Sequence, residues 1–464
     1  MILNSRYKHF FFTVIGYFAG NVFTKLISFI LLPLYTSQID PEIYGIYGVN
    51  MTIVQLVVGI IYICIWQAMF RYAVDADNEQ KRYEVVSMGL FVMCVSSFIC
   101  TGILLIINCF WSLLNPYLVC IYAVANGFQY FYGYVARSMK DNKTFIISGC
   151  VNCTVNLMLN WIGIVYLHHG IEILYYSYII GTLMQVLIIE LKYKVISRFR
   201  KNYVKKKSLF MLFKFGGPLA INSVMQWLLT GLTQVMIAHM LGTYYNGLFS
   251  VAIKFATLIS LIVSIFEYAW IELAYDLAKE SNSSSNYRRV LNMLFVVLVF
   301  GSAALMLAIK VVFPWFIAEA YRECLEIIPH IVVYASANAF ASFAASIYMS
   351  YKDVNTLVVS SLVAGVMNFI LLELFTPKLG FHGALLSLAV ASVIMMLIRV
   401  IVLRTKYVIT LDLSTILYVF MIPICGIVFY FADKIMIDIV AIFVCFIIFI
   451  MTIRSMYLKY MKAK

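Results

Sequence analysis

Two lysines lie within long apolar segments of the chain, where a charged side chain is costly. Lys25 lies about midway along the apolar run 10–35, and Lys254 lies inside the run 245–269. At 1.5 Å per helical residue each lysine is about 15 Å from the end of its run. A charge at that depth in a bilayer costs at least ~2.5 kcal/mol. Because no acidic residue of comparable depth is near either lysine in sequence, the pair predicts a site for an anionic ligand inside a membrane.

The composition of the whole chain indicates a membrane protein. Of its 464 residues 64% are hydrophobic and 12% are charged, with a mean hydropathy of +0.94, whereas a soluble protein carries about 25% charged residues. Apolar runs recur along the chain, and each is long enough to cross a ~30 Å hydrocarbon core as a helix. We therefore expect an all-α integral membrane protein with about 14 transmembrane helices. They begin near residues 10, 44, 85, 116, 145, 171, 209, 245, 288, 327, 355, 381, 413 and 436.

The basic residues predict the orientation of these spans. Of the 34 Lys and Arg residues, 28 fall in segments on one side of the predicted membrane and four in loops on the other. Such a bias marks the cytoplasmic side and places both termini there. The net charge of +13 then reflects orientation, and we expect no nucleic-acid partner. The basic linker 192–214 is expected to contact anionic membrane lipids.

An internal repeat sets the predicted architecture. The segments 125–128 and 138–144 recur as 337–340 and 350–356, and the segment 44–49 recurs as 246–251. The repeat predicts two parallel six-helix units and an additional C-terminal helix pair. We expect an N-terminal lobe with its basic linker at 1–207, a C-terminal lobe at 208–410 and an accessory transmembrane hairpin at 411–464. Repeats of this kind place a substrate site at their interface, near the bilayer midplane.

The repeat also shows that the two lysines are not symmetric. It places Gln226 opposite Lys25 and Thr52 opposite Lys254. Neither charge is therefore required by a fold that both halves share, which favours a functional role for each.

Several segments resemble bacterial polysaccharide flippases. The segments 25–36 and 41–47 resemble the first two spans of the O-antigen-type translocases of the multidrug/oligosaccharidyl-lipid/polysaccharide exporter superfamily. Further similarity is found at 215–219, 352–353 and 379–385, and the resemblance covers about residues 10–405.

The resemblance implies a V-shaped pair of lobes that opens alternately to either membrane face. The implied cargo is an undecaprenyl-diphosphate-linked oligosaccharide, moved from the cytoplasmic to the periplasmic leaflet of the bacterial inner membrane. A polysaccharide polymerase and a chain-length regulator would act in the same pathway. Related flippases line their cavity with basic residues from spans 1, 2 and 8. Lys25 and Lys254 fall in spans 1 and 8, whereas the apolar part of span 2 has no cation here.

Polar residues of the spans complete the predicted site, because a pyrophosphate in a low-dielectric cavity needs hydrogen-bond donors as well as cations. Asn21 lies on the same helical face as Lys25. The other candidates are Gln55, Asn126, Asn222, Gln226 and Asn338. For the symmetric pair Asn126 and Asn338, hydrogen bonding between helices is the stronger interpretation. Glu373 is the candidate for coupling to H⁺ or Na⁺, and we expect neither a metal site nor another cofactor.

Two other functions fit parts of the pattern. An ion-coupled exporter of drugs or organic cations from the same superfamily would be expected to carry carboxylates within the first lobe. A polytopic polysaccharide polymerase would need a sizeable external loop. The sequence contains neither HExxH nor GxxxxGK[ST], so zinc proteolysis and ATP hydrolysis are not indicated, and we expect a transporter that is not an enzyme.

Overall fold

The protein is helical throughout the part of the chain that its computed structural model describes, residues 29–110, 115–168, 170–277, 283–351, 353–432 and 434–462. The α-helices are α1 (Leu32–Gln38), α2 (Pro41–Ile61), α3 (Ile65–Val74), α4 (Glu79–Phe110), α5 (Pro116–Ser138), α6 (Asn142–Val165), α7 (Glu172–Tyr193), α8 (Lys206–Met240), α9 (Thr243–Leu277), α10 (Ser283–Phe316), α11 (Ile328–Ser350), α12 (Val354–Tyr407), α13 (Leu413–Leu417), α14 (Met421–Phe431) and α15 (Ile435–Lys462). Short 3₁₀ segments lie at Lys201–Tyr203, Glu319–Ile327 and Tyr418–Phe420.

These helices make the chain a multi-pass membrane protein. Nine helices within the described ranges are long and apolar enough to cross a membrane, and a shorter apolar helix covers Thr415–Phe431. Each of the thirteen predicted spans after the first corresponds to a helix, so the predicted fold class is confirmed. The spans predicted near 355 and 381 form the two limbs of α12, which meet at Gly380. Its φ of 58° is readily available only to glycine. Most of the first predicted span lies outside the described residues.

Span 2 is broken in a way that the apolar pattern did not predict. Its two parts, α2 and α3, are separated by Ile63 and Cys64, whose φ angles of 50° and 48° are left-handed. Such angles are rare for a β-branched residue. A Cβ on Gly216 of α8 would lie 2.3 Å from the carbonyl oxygen of Ile63. The glycine therefore lets α8 approach the broken backbone closely.

The described residues group into two compact units, one ending at Trp227 and the other beginning at Leu228. In the first unit α7 packs against α5 and α6, and α4 packs against α5. In the second unit α11 packs against α9 and α12. The boundaries predicted from the repeat, at 207 and 410, stay predictions.

Each unit contains the same polar cluster at one end of its helices. Asp141 caps α6 by accepting from the backbone N–H of Thr144 at 3.0 Å, and it also binds Lys192 and Tyr193. In the second unit Asp353 caps α12 through the N–H of Thr356 at 3.3 Å, and it binds Lys406 and Tyr407. The Asp, Thr, Lys and Tyr of each cluster thus make corresponding contacts. We call this end of each unit the basic end, because Lys192–Lys206 and Arg404–Lys406 lie there.

The environment of both carboxylates favours their charged form. Partial burial acts to raise the pKa of Asp141, but hydrogen bonds from Lys192, Tyr193 and Thr144 outweigh it and hold that pKa well below its usual range. Burial acts in the same direction on Asp353, and Lys406, Thr356 and Tyr407 again lower its pKa well below the usual range. Both clusters therefore hold ionised aspartates at neutral pH.

The last helices pack on α10 within the second unit. Lys310 of α10 donates to the carbonyl of Ala432 at 2.7 Å and pairs with Asp438 of α15 at 3.2 Å. Asp438 is 1% exposed. Toward the basic end, Arg288 of α10 binds Asp412 at 2.6 Å. The predicted C-terminal helix pair is thus attached to α10 at both ends.

Candidate functional site

Lys254 is the predicted cation that falls in the described residues. It is the twelfth residue of α9 (Thr243–Leu277), which places it about 16 Å along the helix from its start. The side chain is half-buried, and no carboxylate of the described residues pairs with its ammonium. Its own backbone carbonyl accepts from the hydroxyl of Thr257 at 2.6 Å. An ammonium that pairs with no carboxylate of the described side chains has the chemistry of a site for an anion.

The candidates of α2 and α8 are not joined by hydrogen bonds within the described residues. Gln55 of α2 is exposed, and Asn222 and Gln226 of α8 are half-buried. Two neighbours on α8 make the contacts instead: the Trp227 indole N–H donates to the carbonyl of Thr52 at 2.9 Å, and Ser223 lies 3.6 Å from the Cys64 thiol. Asn222 and Gln226 are therefore left for another partner.

Asn126 belongs to a polar network that holds three helices of the first unit together. We call it the amide cluster; its members are Asn126, Gln129, Asn152, Tyr178 and Gln185. Asn126 donates to the hydroxyl of Tyr178 at 2.7 Å, and Tyr178 in turn donates to Gln129. Gln185 accepts from Gln129 at 3.3 Å and from Asn152 at 2.7 Å. These contacts support the interpretation of Asn126 as a residue that bonds helices together.

Asn338, the repeat partner of Asn126, has a different environment. It is half-buried in α11, and its side-chain oxygen is buried without a hydrogen-bond partner among the described residues. The two asparagines share a helix position but not a set of contacts, so their symmetry in sequence does not extend to their hydrogen bonds.

The second unit has its own polar centre at Arg399, one of the 28 basic residues that the sequence predicts on the cytoplasmic side of the membrane. The structure buries this side chain to 2% exposure. Its guanidinium donates to Ser360 at 3.0 Å, to Ser361 at 2.9 Å and to the carbonyl of Ala341 at 2.6 Å. Arg399 stands seven residues before Lys406, and Gln185 stands seven residues before Lys192. A neutral amide and a guanidinium thus join the helices at matching positions of the two units.

Glu373, the coupling candidate, lies in the first limb of α12 with an exposed side chain. Its neighbours on the same face, Phe369 and Ile370, are also exposed and apolar. Within the described ranges, no group of three or more His, Cys, Asp or Glu side chains could hold a metal ion. The role of Glu373 stays a prediction.

Lys25 and Asn21 lie outside the described residues. The roles of Gln129, Tyr178 and Gln185 and the burial of Arg399 were not predicted from the sequence. A signal for the first unit exists in α5, where Tyr122, Asn126, Tyr130 and Tyr134 follow one another at intervals of four.

Comparison with known proteins decides the family. The family model described as "Polysaccharide biosynthesis protein" matches residues 13–271, which is more than half of the chain. The chain belongs to the polysaccharide biosynthesis protein family. A comparison with curated proteins finds no match.

The chain is also similar to solved structures of transporters and of a flippase. An inward-facing multidrug resistance MATE family transporter of the MOP superfamily matches with a TM-score of 0.67 at 11% identity, covering 87% of this chain and 95% of that one. The lipid II flippase MurJ in an inward closed conformation matches with a TM-score of 0.64 at 15% identity, covering 95% of this chain and 98% of that one. An outward-facing MATE transporter matches with a TM-score of 0.60 at 13% identity, covering 83% and 92%. At these identities the likeness shows the fold alone, which this chain shares with the MATE transporters and MurJ.

Proposed function

We propose that this protein is a flippase for lipid-linked oligosaccharides. It moves an undecaprenyl-diphosphate-linked repeat unit from the cytoplasmic to the periplasmic leaflet of the bacterial inner membrane, by alternating access, for O-antigen or a related surface polysaccharide. Both termini are cytoplasmic, and a polysaccharide polymerase and a chain-length regulator use the product. The protein itself catalyses no covalent step.

The observation that carries this proposal is the ammonium of Lys254, with which no carboxylate of the described side chains pairs, in a member of the polysaccharide biosynthesis protein family. A pyrophosphate that leaves water for a low-dielectric cavity loses its hydration, and a fixed ammonium offsets part of that cost. Lys25 is the second cation of the proposed site. The likeness to a lipid II flippase supports a lipid-linked cargo.

The MATE likeness raises a second candidate function, export of organic cations. A cation in a membrane cavity requires a carboxylate near its path. The nine acidic residues before Trp227 lie in loops or within about two turns of a helix end; Glu84 and Glu190, for example, are near the ends of α4 and α7. The middle of the first unit therefore lacks the counter-charge, and the sign of Lys254 favours an anionic cargo.

The driving force is proposed to be exchange with H⁺ or Na⁺, with Glu373 as the group that binds the ion. Its support is its location, since it is a carboxylate within an apolar span and such residues often mark ion pathways. Replacing Glu373 with Gln removes the titratable group while keeping its shape.

Replacement of Lys254 tests the proposed function. Cells that lack their own copy receive the wild-type chain, Lys254→Ala, Lys254→Arg or the control Lys378→Ala, whose side chain is exposed. Surface polysaccharide is measured at matched membrane abundance, and the same changes at Lys25 are compared. We expect Lys254→Ala to lower polymer output at least tenfold, Lys254→Arg to restore part of it, and Lys378→Ala to match the wild type.

Unchanged output in the Ala variants at both lysines would overturn the anionic site. If uptake of a quaternary ammonium dye into inverted vesicles then depended on the same protein, the chain would be an exporter of cations.

A further inference from the structure

One face of α5 carries an unusual row of side chains. Tyr122, Asn126, Tyr130, Tyr134 and Arg137 follow one another at intervals of four, four, four and three residues, so they lie on one side of the helix. We call these five residues the α5 row; it extends about 22 Å along the helix. All five are half-buried or exposed, whereas Ala123, Gly127, Phe131 and Val135 between them are buried in the unit.

Neighbouring aromatic rings hold the rings of the α5 row in place. Tyr178 stacks on Tyr122 with centroids 4.2 Å apart, and Trp66 stacks on Tyr130 at 5.0 Å. Phe70 meets Tyr134 edge to face at 5.5 Å. Rings fixed in this way bind a flat partner at a low entropy cost, because their rotamers are already restricted.

Arg137 ends the row at the basic end of the unit. Its guanidinium lies 5.1 Å from the centroid of the Phe70 ring and 4.9 Å from that of Tyr134. The row therefore places a cation beside rings at one end of α5 and an amide, Asn126, nearer its middle. Aromatic faces interrupted by amide and guanidinium donors match a ligand with both apolar faces and many hydroxyl groups.

The chemistry of the row does not fit contact with lipid tails. Tyrosine and tryptophan face lipid mainly at the two membrane interfaces, but this row continues through the length of α5. By contrast Ile121, which lies on α5 outside the row, is 52% exposed and apolar. The hydroxyl groups of Tyr130 and Tyr134 would lack partners if they faced hydrocarbon.

The second unit shows that the fold does not require these rings. Counted from Asn338, the matching positions of α11 are Tyr334, Ser342, Ser346 and Met349. The first ring and the amide are kept, while Tyr130, Tyr134 and Arg137 have no aromatic or basic counterpart. The α5 row is therefore a property of the first unit alone and calls for a functional explanation.

We propose that the α5 row is the surface that binds the sugar rings of the cargo, and this inference rests on the proposed function. The faces of Tyr130 and Tyr134 stack on the C–H faces of sugars, while Arg137 donates to their hydroxyl groups. The pyrophosphate is bound by the lysines, so the two parts of the cargo are recognised by different residues.

The test separates sugar recognition from pyrophosphate recognition. The full-length chain is reconstituted in liposomes with undecaprenyl diphosphate that carries either one sugar or the complete repeat unit of the polymer-forming cell. Translocation of each lipid is measured below saturation for Tyr130→Leu, Tyr134→Leu and Lys254→Ala. Tyr130→Phe keeps the ring and tests folding, and Tyr117→Leu removes an aromatic side chain of α5 that is 74% exposed and outside the row.

We expect Tyr130→Leu and Tyr134→Leu to slow the complete unit about tenfold, the size expected for the loss of one stacked ring, and to leave the single-sugar lipid unchanged. Tyr130→Phe keeps the stacking ring and should move the complete unit faster than Tyr130→Leu does. Tyr117→Leu should match the wild type, and Lys254→Ala should slow both lipids. A wild-type chain that moves neither lipid overturns the proposed function and this inference with it.

Two results overturn the inference alone. In the first, both lipids move and the Leu variants behave like Tyr117→Leu or slow both lipids equally. In the second, a quaternary ammonium dye competes with translocation of both lipids by the wild type, and the Leu variants of the row abolish that competition. The row is then a cation site.

Discussion

The carboxylate of Asp353 lies 2.7 Å from the ammonium of Lys406, so the start of α12 is joined to its end. Because α12 reverses direction at Gly380, this contact closes the loop formed by its two limbs. Asp141 and Lys192 make the corresponding contact between α6 and α7. We call each of these aspartate–lysine ion pairs a clasp. Each clasp joins the two helices of a hairpin, which are separated by a loop in the first unit and by the break at Gly380 in the second.

Replacement of Asp353 separates its two roles. Asn keeps an oxygen that can cap α12 but loses the charge, whereas Ala loses both. We expect Asp353→Ala to destabilise the protein by about 1 kcal/mol more than Asp353→Asn, the usual value of an N-cap. Thermal unfolding in detergent measures the difference. Asp77→Ala is the control, because Asp77 is largely exposed and pairs with Lys81 only at the surface, and equal values for Ala and Asn would argue against the cap.

Acid should weaken both clasps. The pKa values of Asp141 and Asp353 are lowered by their contacts, so the stabilisation is fully present above the unfolded value of about 3.9. It is lost as the pH falls from there toward the folded pKa values. The unfolding temperature of the wild type should therefore fall more steeply below about pH 4, where these carboxyl groups take up protons in the unfolded chain, than that of the double variant Asp141→Asn, Asp353→Asn. Parallel curves for the two proteins would contradict the assignment.

Two adjacent glycines of α8 provide a matched pair of variants. A Cβ on Gly216 meets the carbonyl oxygen of Ile63 at 2.3 Å, whereas a Cβ on Gly217 has nothing within 4 Å. We expect Gly216→Ala to cost about 1–3 kcal/mol through overpacking. Gly217→Ala should be neutral or stabilising by up to about 1 kcal/mol, because alanine favours a helix. The yield of monodisperse protein and its unfolding temperature report both, and similar behaviour of the two variants would contradict the close approach at Ile63.

Arg399 should tolerate the residue of its repeat partner better than a small one. Arg399→Ala leaves two serines and the Ala341 carbonyl without their donor, and each buried group left unpaired costs about 1–3 kcal/mol. Arg399→Gln retains an amide N–H donor at the position where the first unit has Gln185, and should give more folded protein than Ala. Arg404→Ala serves as the exposed control and should match the wild type. Folded yield by size-exclusion chromatography ranks the variants, and an Ala variant as stable as Gln would show that these contacts matter little.

The spans were predictable from the sequence because apolar length alone determines whether a helix can cross a bilayer. The clasp was partly predictable, since the repeat had already paired Asp141 with Asp353. The break after α2 was not, because Tyr62, Ile63, Cys64 and Ile65 include neither glycine nor proline, and the close contact with Gly216 involves a residue far away in the chain. Arg399 was assigned to the basic end for a similar reason: basic-residue counting cannot show that Ser360 and Ser361 supply partners inside the unit.

The attachment of α15 to α10 gives the second unit a built-in reporter of motion. The ion pair of Lys310 with Asp438 fixes the hairpin at one end and the pair of Arg288 with Asp412 fixes it at the other, so hairpin and helix turn together. Phe443 lies on the outward face of α15, with its ring exposed. A fluorophore at that position would follow the rotation of α10 through a transport cycle by its anisotropy, without occupying any proposed cargo-binding residue.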